Sequence, residues 1–191
     1  MAEEYTGVKF EAKKLREFKP TDEEKTNIGK LVSLQEVYRQ HKFLDRNGGN
    51  FSFRTEKGFI IKRTGVWVNK VSNADFVRVV DVKGGQVFYE GEGKPSSECR
   101  THFLIYSKEP AVHFIMHAHA YDVSERTELS SQPCWVPELS YGTMELAEAV
   151  ARLTTTCSFV IAQGHGIFAW GPTFAETLKI LLDNYAKYRP V

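Results

Sequence analysis

Apolar residues along the chain recur at two different spacings, and each spacing predicts one kind of element. A helical spacing begins after Thr21, which forms a capping box with Glu24, and it continues to about Leu44. The same spacing recurs in three later stretches, which predict helices over 97–106, 144–153 and 173–188. The last of these helices begins with a second capping box, at Thr173 and Glu176.

A spacing of two residues predicts strands in other stretches. The predicted strands cover 51–54, 58–62, 77–82, 86–89, 113–119, 158–162 and 167–170. The tight turn Asn47-Gly48-Gly49-Asn50 precedes the first strand, and Lys83-Gly84-Gly85 joins two strands into a hairpin. Several antiparallel strands with helices at intervals predict one layered α/β (α+β) domain. The chain lacks a regular strand–helix alternation and a Gly-rich dinucleotide fingerprint, which disfavours a Rossmann fold.

Length and composition agree with one domain that has a large core. The chain has 191 residues, of which 42% are hydrophobic and 13% are aromatic, so disorder is excluded. Residues 1–20 are predicted to be a solvated lead-in, and residues 21–191 are predicted to be the folded domain. The 25 basic and 24 acidic residues nearly balance, so nothing indicates nucleic-acid or membrane-surface binding.

The chain is expected to be cytoplasmic. No apolar run approaches the roughly 18 residues that a membrane span needs, and the acidic start Met1-Ala2-Glu3-Glu4 does not resemble a signal peptide. Cys99, Cys134 and Cys157 are odd in number, far apart and without CxxC spacing. We therefore expect them to be reduced, mostly buried thiols.

Three histidines are candidate metal ligands. His117 and His119 are two residues apart on a predicted strand, so both side chains lie on one face. His165 lies between Gly164 and Gly166, where the glycines allow another group to approach the backbone closely. Three histidines with one open position are typical of a catalytic zinc site. The alternative is that the histidines serve only packing or lie at the surface.

Glu98 is a candidate general acid or base, since a carboxylate beside a dication can take a proton from a metal-polarised substrate. Its alternative role is to complement the dipole at the start of the predicted helix. Ser96 and Ser97 precede that helix, so their hydroxyls and the free amides could bind an anion such as phosphate, or could simply cap the helix. Asn50 and the Thr64-Gly65 pair could contribute to the same anion site, or could fill ordinary turns.

Taken in order, these residues resemble the class II aldolase/adducin N-terminal domain family, typified by zinc-dependent fuculose-phosphate aldolase. The resemblance spans roughly residues 31–188. The matching segments are Gly49-Asn50-Phe51-Ser52-Phe53-Arg54, Thr64-Gly65, Pro95-Ser96-Ser97-Glu98, His117-Ala118-His119, Tyr141-Gly142-Thr143-Met144-Glu145-Leu146 and Gly164-His165-Gly166.

The resemblance implies a central, mostly antiparallel sheet flanked by helices, and a homotetramer with active sites near subunit interfaces. It implies Zn²⁺ on His117, His119 and His165, and an acid/base role for Glu98. It places Asn50, Thr64, Gly65, Ser96 and Ser97 at phosphate-binding positions. The implied reaction is retro-aldol cleavage of a small phosphorylated ketose through a zinc-stabilised enediolate, which gives a dihydroxyacetone-phosphate-like product and an aldehyde.

Two other functions remain alternatives. One is a sugar-phosphate dehydratase of the methylthioribulose-phosphate type, and the other is a non-catalytic, adducin-like interaction module, which the three histidines disfavour. An epimerase is disfavoured because that branch carries Asp where this chain has Glu98. The phosphate loop departs from the family pattern, since Lys62-Arg63 precedes Thr64, and these cations either strengthen anion binding or face solvent. The tyrosine that protonates the aldehyde-side oxygen in the family has no clear match, and Tyr121 is a guess.

Overall fold

The centre of the fold is a sheet of nine strands within residues 6–43 and 48–190, which the computed structural model describes. In space the strands follow the order β1-β5-β4-β3-β2-β6-β9-β8-β7. Neighbouring strands are antiparallel, except for the parallel pairs β1–β5 and β7–β8 at the two edges. The strands are β1 Glu11–Arg16, β2 Asn50–Thr55, β3 Gly58–Lys62, β4 Phe76–Lys83, β5 Gln86–Glu90, β6 Phe114–Ala118, β7 Trp135–Val136, β8 Phe159–Ala162 and β9 Gly166–Gly171.

Five α-helices lie in the described part of the chain. They are α1 Asp22–Gln40, α2 Cys99–Lys108, α3 Tyr121–Ser124, α4 Met144–Arg152 and α5 Phe174–Tyr188. The predicted capping box of Thr21 and Glu24 is confirmed, with both reciprocal hydrogen bonds formed. The predicted end of the first helix at Leu44, and Asn47 of the predicted turn, lie outside the described residues. No described helix is long and apolar enough to cross a membrane.

Side chains that alternate along the strands fill two cores on opposite faces of the sheet. Ile60 and Met116 pack on the face covered by α1 and α5, with Leu31 and Leu181. The neighbouring residues Ile61 and Ile115 point to the other face and pack with α2 and α4. His117 follows Ile115 by two residues, so it faces the α2 side of the sheet, where Glu98 begins that helix.

The predicted fold class is therefore confirmed, with a central and mostly antiparallel sheet between helices. The division into a lead-in over 1–20 and a domain over 21–191 stays a prediction. Within the lead-in the sequence analysis missed β1, which pairs with β5 although most of its side chains are solvent-exposed. Residues 121–142 were predicted to be irregular, and they contain α3 and β7.

The prediction that all three cysteines are reduced is wrong. Cys134 and Cys157 form a disulfide, with Cα atoms 6.0 Å apart and a sequence separation of 23. Cys134 immediately precedes β7 and Cys157 precedes β8, so the parallel pairing of these two strands brings the two thiols together. Cys99 is a free, buried thiol, as expected.

Candidate metal centre

The structure brings the three predicted histidines together. His117 lies on β6, His119 follows the end of that strand, and His165 lies in the turn between β8 and β9. The candidate ligand atoms of the three side chains all lie within 4.8 Å of one another. β6 and β9 are hydrogen-bonded neighbours, so the sheet itself sets the spacing between the first two histidines and the third.

Hydrogen bonds at the far side of two rings fix their orientation. Nδ1 of His117 donates to the carbonyl of Ile167 at 3.0 Å, which leaves Nε2 with its lone pair toward the other histidines. Nδ1 of His119 lies 3.0 Å from the hydroxyl of Tyr121. The His117 ring is also stacked on Phe168, with ring centres 4.0 Å apart. Such contacts select the ring nitrogen that is available to a metal.

The electrostatics of the cluster suit a cation. Burial, followed by the neighbouring histidines, lowers the pKa of His117 well below its usual value, and burial does the same to the pKa of His165. Both imidazoles are therefore neutral at pH 7, as coordination requires. The buried Nε2 atoms of His117 and His165 have no hydrogen-bond partner among the described residues. A divalent metal with nitrogen ligands would satisfy both atoms.

Glu98 lies beside this cluster. It is the N-cap residue of α2, one position before the helix rather than in its first turn as predicted. One carboxylate oxygen accepts the amide N–H of Gly142 at 2.8 Å and lies 3.7 Å from Nε2 of His165. The other oxygen accepts the hydroxyl of Thr101 at 3.1 Å. Burial raises the pKa of Glu98 to about 7, which suits a group that both takes and gives a proton.

Two glycines allow the backbone to pack closely around the cluster. A Cβ at Gly166 would lie 2.4 Å from the carbonyl oxygen of Ala118 and 3.1 Å from the ring of His117. A Cβ at Gly49 would lie 2.8 Å from the carbonyl oxygen of His117. The expectation that glycine permits a close approach beside His165 therefore agrees with the structure.

One pocket of about 410 Å³ contains most of the predicted site. Its lining includes the predicted residues Asn50, Thr64, Ser96, Ser97, Glu98, His119 and His165. Gly65 lies on the same loop as Thr64 and is not among the residues that line the pocket in the described part of the chain. His117 lies behind the lining, fully buried.

The pocket also offers polar groups for an anion. The Ser97 hydroxyl and the Asn50 side-chain oxygen are buried without a partner among the described residues. The predicted amide donors are largely used, because the amide of Ser96 donates to Lys62, and the amides of Glu98 and Cys99 donate to Ser96. An anion here would depend mainly on side chains.

Lys62 and Arg63 point in opposite directions, which answers a question that the sequence left open. Lys62 lines the pocket and is 1% exposed, and its ammonium donates to the carbonyl of Val66 at 2.6 Å. Burial lowers the pKa of Lys62 to about 7. Arg63 lies at the surface, where it pairs with Asp75 at 2.8 Å.

Sequence reasoning gave no site role to residues 138–141, which line the pocket. Glu138 lines the pocket beside Gly164, and Tyr141 lies next to Gly142 on the same segment. Tyr121, named as a guess, also lines the pocket. The segment before Tyr141 has no regular pattern, and its approach to the site depends on the Cys134–Cys157 disulfide and the β7–β8 pair, which the sequence does not reveal.

Known proteins share both sequence and fold with this chain. A family model described as Class II Aldolase and Adducin N-terminal domain matches residues 30–133 and 122–183. The L-fuculose phosphate aldolase of Methanococcus vannielii is 27% identical over 164 residues, which are 78% of this chain and 87% of that protein. The methylthioribulose-1-phosphate dehydratase of Pseudoalteromonas translucida is 30% identical over 95 residues, which are 50% of this chain and 44% of that protein.

The chain is also similar to part of a longer protein and to a solved structure. The fluorothreonine transaldolase of Streptantibioticus cattleyicolor is 27% identical over 138 residues, which are 72% of this chain but only 21% of that protein. The solved structure of YgbL from Klebsiella pneumoniae superposes with a TM-score of 0.72 at 18% identity, and the match covers 86% of this chain and 87% of that one. At that identity the structural match speaks for the fold alone.

Proposed function

Because the chain belongs to the class II aldolase and adducin N-terminal domain family, we propose that it is a divalent-metal-dependent lyase. The proposed reaction is retro-aldol cleavage of a small phosphorylated ketose. The observation that carries the proposal is the convergence of three histidines and the Glu98 carboxylate on one pocket. The similarity to L-fuculose phosphate aldolase supports the substrate class.

The residues that would hold the metal are His117, His119 and His165, and their all-nitrogen donor set fits Zn²⁺. When bound, the metal would supply Lewis-acid polarisation of the ketone and hydroxyl oxygens of the substrate. The buried, unpartnered nitrogens of His117 and His165 support this assignment.

Glu98 would move the proton. Cleavage between C3 and C4 of a ketose needs a base that removes the proton from the C4 hydroxyl. The C1–C3 fragment leaves as an enediolate, with its double bond between C2 and C3, and must then gain a proton at C3. The Glu98 carboxylate can do both, since its pKa is raised to about 7 by burial. The Gly142 amide and the Thr101 hydroxyl hold its two oxygens in place.

The phosphate of the substrate would bind to other polar groups that line the pocket. Lys62 supplies a positive charge there, and the hydroxyls of Thr64, Ser96 and Ser97 with the Asn50 amide supply hydrogen bonds. Gly65 would shape the loop that carries Thr64. The Lys62 ammonium is buried and forms no ion pair with a carboxylate within the described residues, so a bound anion would stabilise its charged form.

The test is metal analysis followed by a cleavage assay. We expect about one zinc or similar ion per chain, and release of a dihydroxyacetone-phosphate-like product from one member of a panel of phosphorylated ketoses. His117→Ala should lose the metal, and Glu98→Gln should keep it and lose at least about a hundred-fold in kcat. His113→Ala is the matched control, since His113 is exposed and immediately precedes β6. No stoichiometric metal in the reconstituted wild type would rule the lyase out.

Dehydration is the second candidate, and Glu138 is the observation that favours it. Removal of a hydroxyl needs one group to take a proton from carbon and another to protonate the leaving oxygen. Glu98 and Glu138 both line the pocket, so two carboxylates are present for these two roles. Similarity to methylthioribulose-1-phosphate dehydratase supports the same reaction. The product distinguishes the two, since dehydration keeps the carbon chain whole.

A homotetramer with its sites near subunit interfaces, and a cytoplasmic location, are further parts of the proposal. Size measurement in solution tests the first. The Cys134–Cys157 disulfide is the observation against the second, because disulfides are rare in the cytosol of mesophiles.

A further inference from the structure

An N-terminal strap, defined as residues 6–10, lies against the segment that forms one side of the pocket. The family match begins at residue 30, so the strap lies outside it. The amide of Thr6 donates to the hydroxyl of Tyr141 at 2.8 Å, and that hydroxyl donates to the carbonyl of Gly7 at 3.1 Å. The ammonium of Lys9 donates to the Ser140 hydroxyl at 2.6 Å and lies 3.9 Å from the centre of the Tyr141 ring.

Arg100 joins the strap to the same segment from the inside. It lies in the first turn of α2 and is buried, with its guanidinium 5.4 Å from the ring of Phe10. One guanidinium nitrogen donates both to the carbonyl of Lys9, at 3.0 Å, and to the carbonyl of Gly142. A planar, always charged group is suited to hold two carbonyls at once.

Gly142 connects this clamp to Glu98. Its amide donates to the Glu98 carboxylate while its carbonyl accepts from Arg100, so both ends of the residue are held. Its φ is +64°, and a Cβ would lie 3.2 Å from both the side chain and the carbonyl oxygen of Ser97. A shift of Gly142 would therefore carry the amide away from the carboxylate.

We propose that Arg100 is a positioning residue for Glu98, and that the N-terminal strap supports it. The inference rests on the proposed acid/base role of Glu98. Without Arg100 the Gly142 carbonyl loses its donor, the turn moves, and the carboxylate loses the hydrogen bond that orients it. His117 lies on β6, His119 follows the end of that strand and His165 lies in the β8–β9 turn, whereas Arg100 binds the carbonyls of Lys9 and Gly142, so the metal should stay bound.

The experiment compares Arg100→Leu and Arg100→Lys with the wild type. Arg39→Leu is the matched control, because Arg39 lies half-exposed on α1 and pairs only with the exposed Glu36 among the described residues. For each protein we would measure metal stoichiometry and affinity, kcat and KM for the cleaved ketose, and hydrogen exchange at the peptide that contains the Gly142 amide.

In Arg100→Leu we expect exchange at Gly142 to accelerate about ten-fold or more, because its amide opens more often. We expect kcat to fall about ten- to hundred-fold and KM to change less than about three-fold, because a misplaced base slows the reaction without weakening binding. Metal affinity should be unchanged. Arg100→Lys keeps a cationic donor, so it should recover part of kcat.

Unchanged exchange and kcat in folded Arg100→Leu would overturn the proposal, and so would loss of metal in parallel with activity. If Arg100→Leu does not fold, the same measurements on Arg100→Lys and Tyr141→Phe test the proposal. The second of these removes the hydroxyl that binds the strap and should accelerate exchange at Gly142 about three-fold or more. If no ketose is cleaved by the wild type, the proposed function fails, whereas the exchange measurement still tests the link from Arg100 to Gly142.

Discussion

The two sides of the pocket are built in different ways. The strand wall consists of Asn50, Lys62 and His117, which lie on β2, β3 and β6 and are at most 4% exposed. The loop wall consists of residues 138–142, which have no regular structure and include the exposed Glu138. Ladder hydrogen bonds on both sides of each strand hold the first wall. The disulfide, the N-terminal strap and Arg100 hold the second.

This difference shows how rigidity is divided within the site. Ligand geometry at a metal tolerates errors of about half an ångström, so the histidines depend on strand pairing. Contacts that select one sugar over another tolerate more variation, and loops on a rigid scaffold commonly carry them. Changes in the strand wall should therefore disturb both stability and metal, and changes in the loop wall should spare the metal.

Gly166→Ala should give the largest effect. The new methyl would overlap the carbonyl of Ala118 and force β9 away from β6, so we expect a loss of more than about 3 kcal/mol in the free energy of unfolding. Metal affinity should fall with it. Denaturant unfolding and metal titration measure the two losses.

Gly85→Ala is the matched control for this substitution. Gly85 has a positive φ of +79° but open space around it, so the same change should cost about 1 kcal/mol and leave the metal in place. Equal losses in the two variants would mean that the contact between β6 and β9 does not determine the site.

Reduction of Cys134–Cys157, or the Cys157→Ser variant, tests the loop wall. A crosslink across 23 residues should contribute about 3 kcal/mol to the free energy of unfolding. Because β6 carries His117 and leads into His119, and the β8–β9 pairing holds the turn of His165, metal stoichiometry should not change. Unfolding with and without a reductant measures the contribution of the disulfide to stability. One free thiol per unfolded, unreduced chain, from Cys99, would confirm the pairing. Loss of metal on reduction would contradict the division between the walls.

Lys62 predicts a pH dependence of stability. Burial lowers its folded pKa to about 7 from 10.5, so between these values the unfolded chain binds more protons than the folded chain. Stability from this group therefore rises with pH across that range, by about 2 kcal/mol between pH 7.5 and 9. Lys62→Met should remove the rise, as unfolding at several pH values would show.

Lys57→Met is the matched control, because Lys57 lies on the exposed turn between β2 and β3. This variant should keep the rise of stability with pH. Phosphate binding should oppose the effect, because an anion favours the charged ammonium, and the protein should take up a proton when phosphate binds near pH 8. Calorimetry in two buffers of different ionisation enthalpy measures that uptake. If no proton is taken up when phosphate binds, Lys62 is not part of the anion site.

Arg63→Ala should give the smallest effect. The Arg63 side chain is partly exposed, and two hydrogen bonds from Ser72 would still hold the buried Asp75 carboxylate. We expect a change below about 1 kcal/mol in stability. Phosphate affinity should change less than about three-fold, against about ten-fold or more for Lys62→Met. A larger loss in Arg63→Ala than in Lys62→Met would reverse the assignment of the two cations.

The strand wall was largely predictable from sequence, and the loop wall was not. β3 and the end of α5 were predicted to the residue, because their apolar spacing reflects burial that the sequence itself encodes. His117 and His119 were predicted from strand periodicity, and His165 from the glycines on each side of it. β1 was missed because its stability comes from backbone pairing with β5, and its charged side chains carry no period.

Other features depend on contacts between distant parts of the chain. The disulfide and the position of Glu138 follow from the pairing of β7 with β8, and no local pattern encodes that pairing. Lys62, the last residue of β3, lines the pocket, whereas Arg63 lies just past the strand and pairs with Asp75, and the sequence does not show which of the two cations faces the pocket.

The charged edge strand β1 has a consequence for how copies of the protein can associate. A sheet edge with open backbone groups invites another chain to add a strand, and aggregation begins in this way. On β1, Lys13, Lys14 and Arg16 project largely into water, so an incoming strand would have to dehydrate several cations. Fibril-like growth from the β1 edge of the sheet is therefore disfavoured.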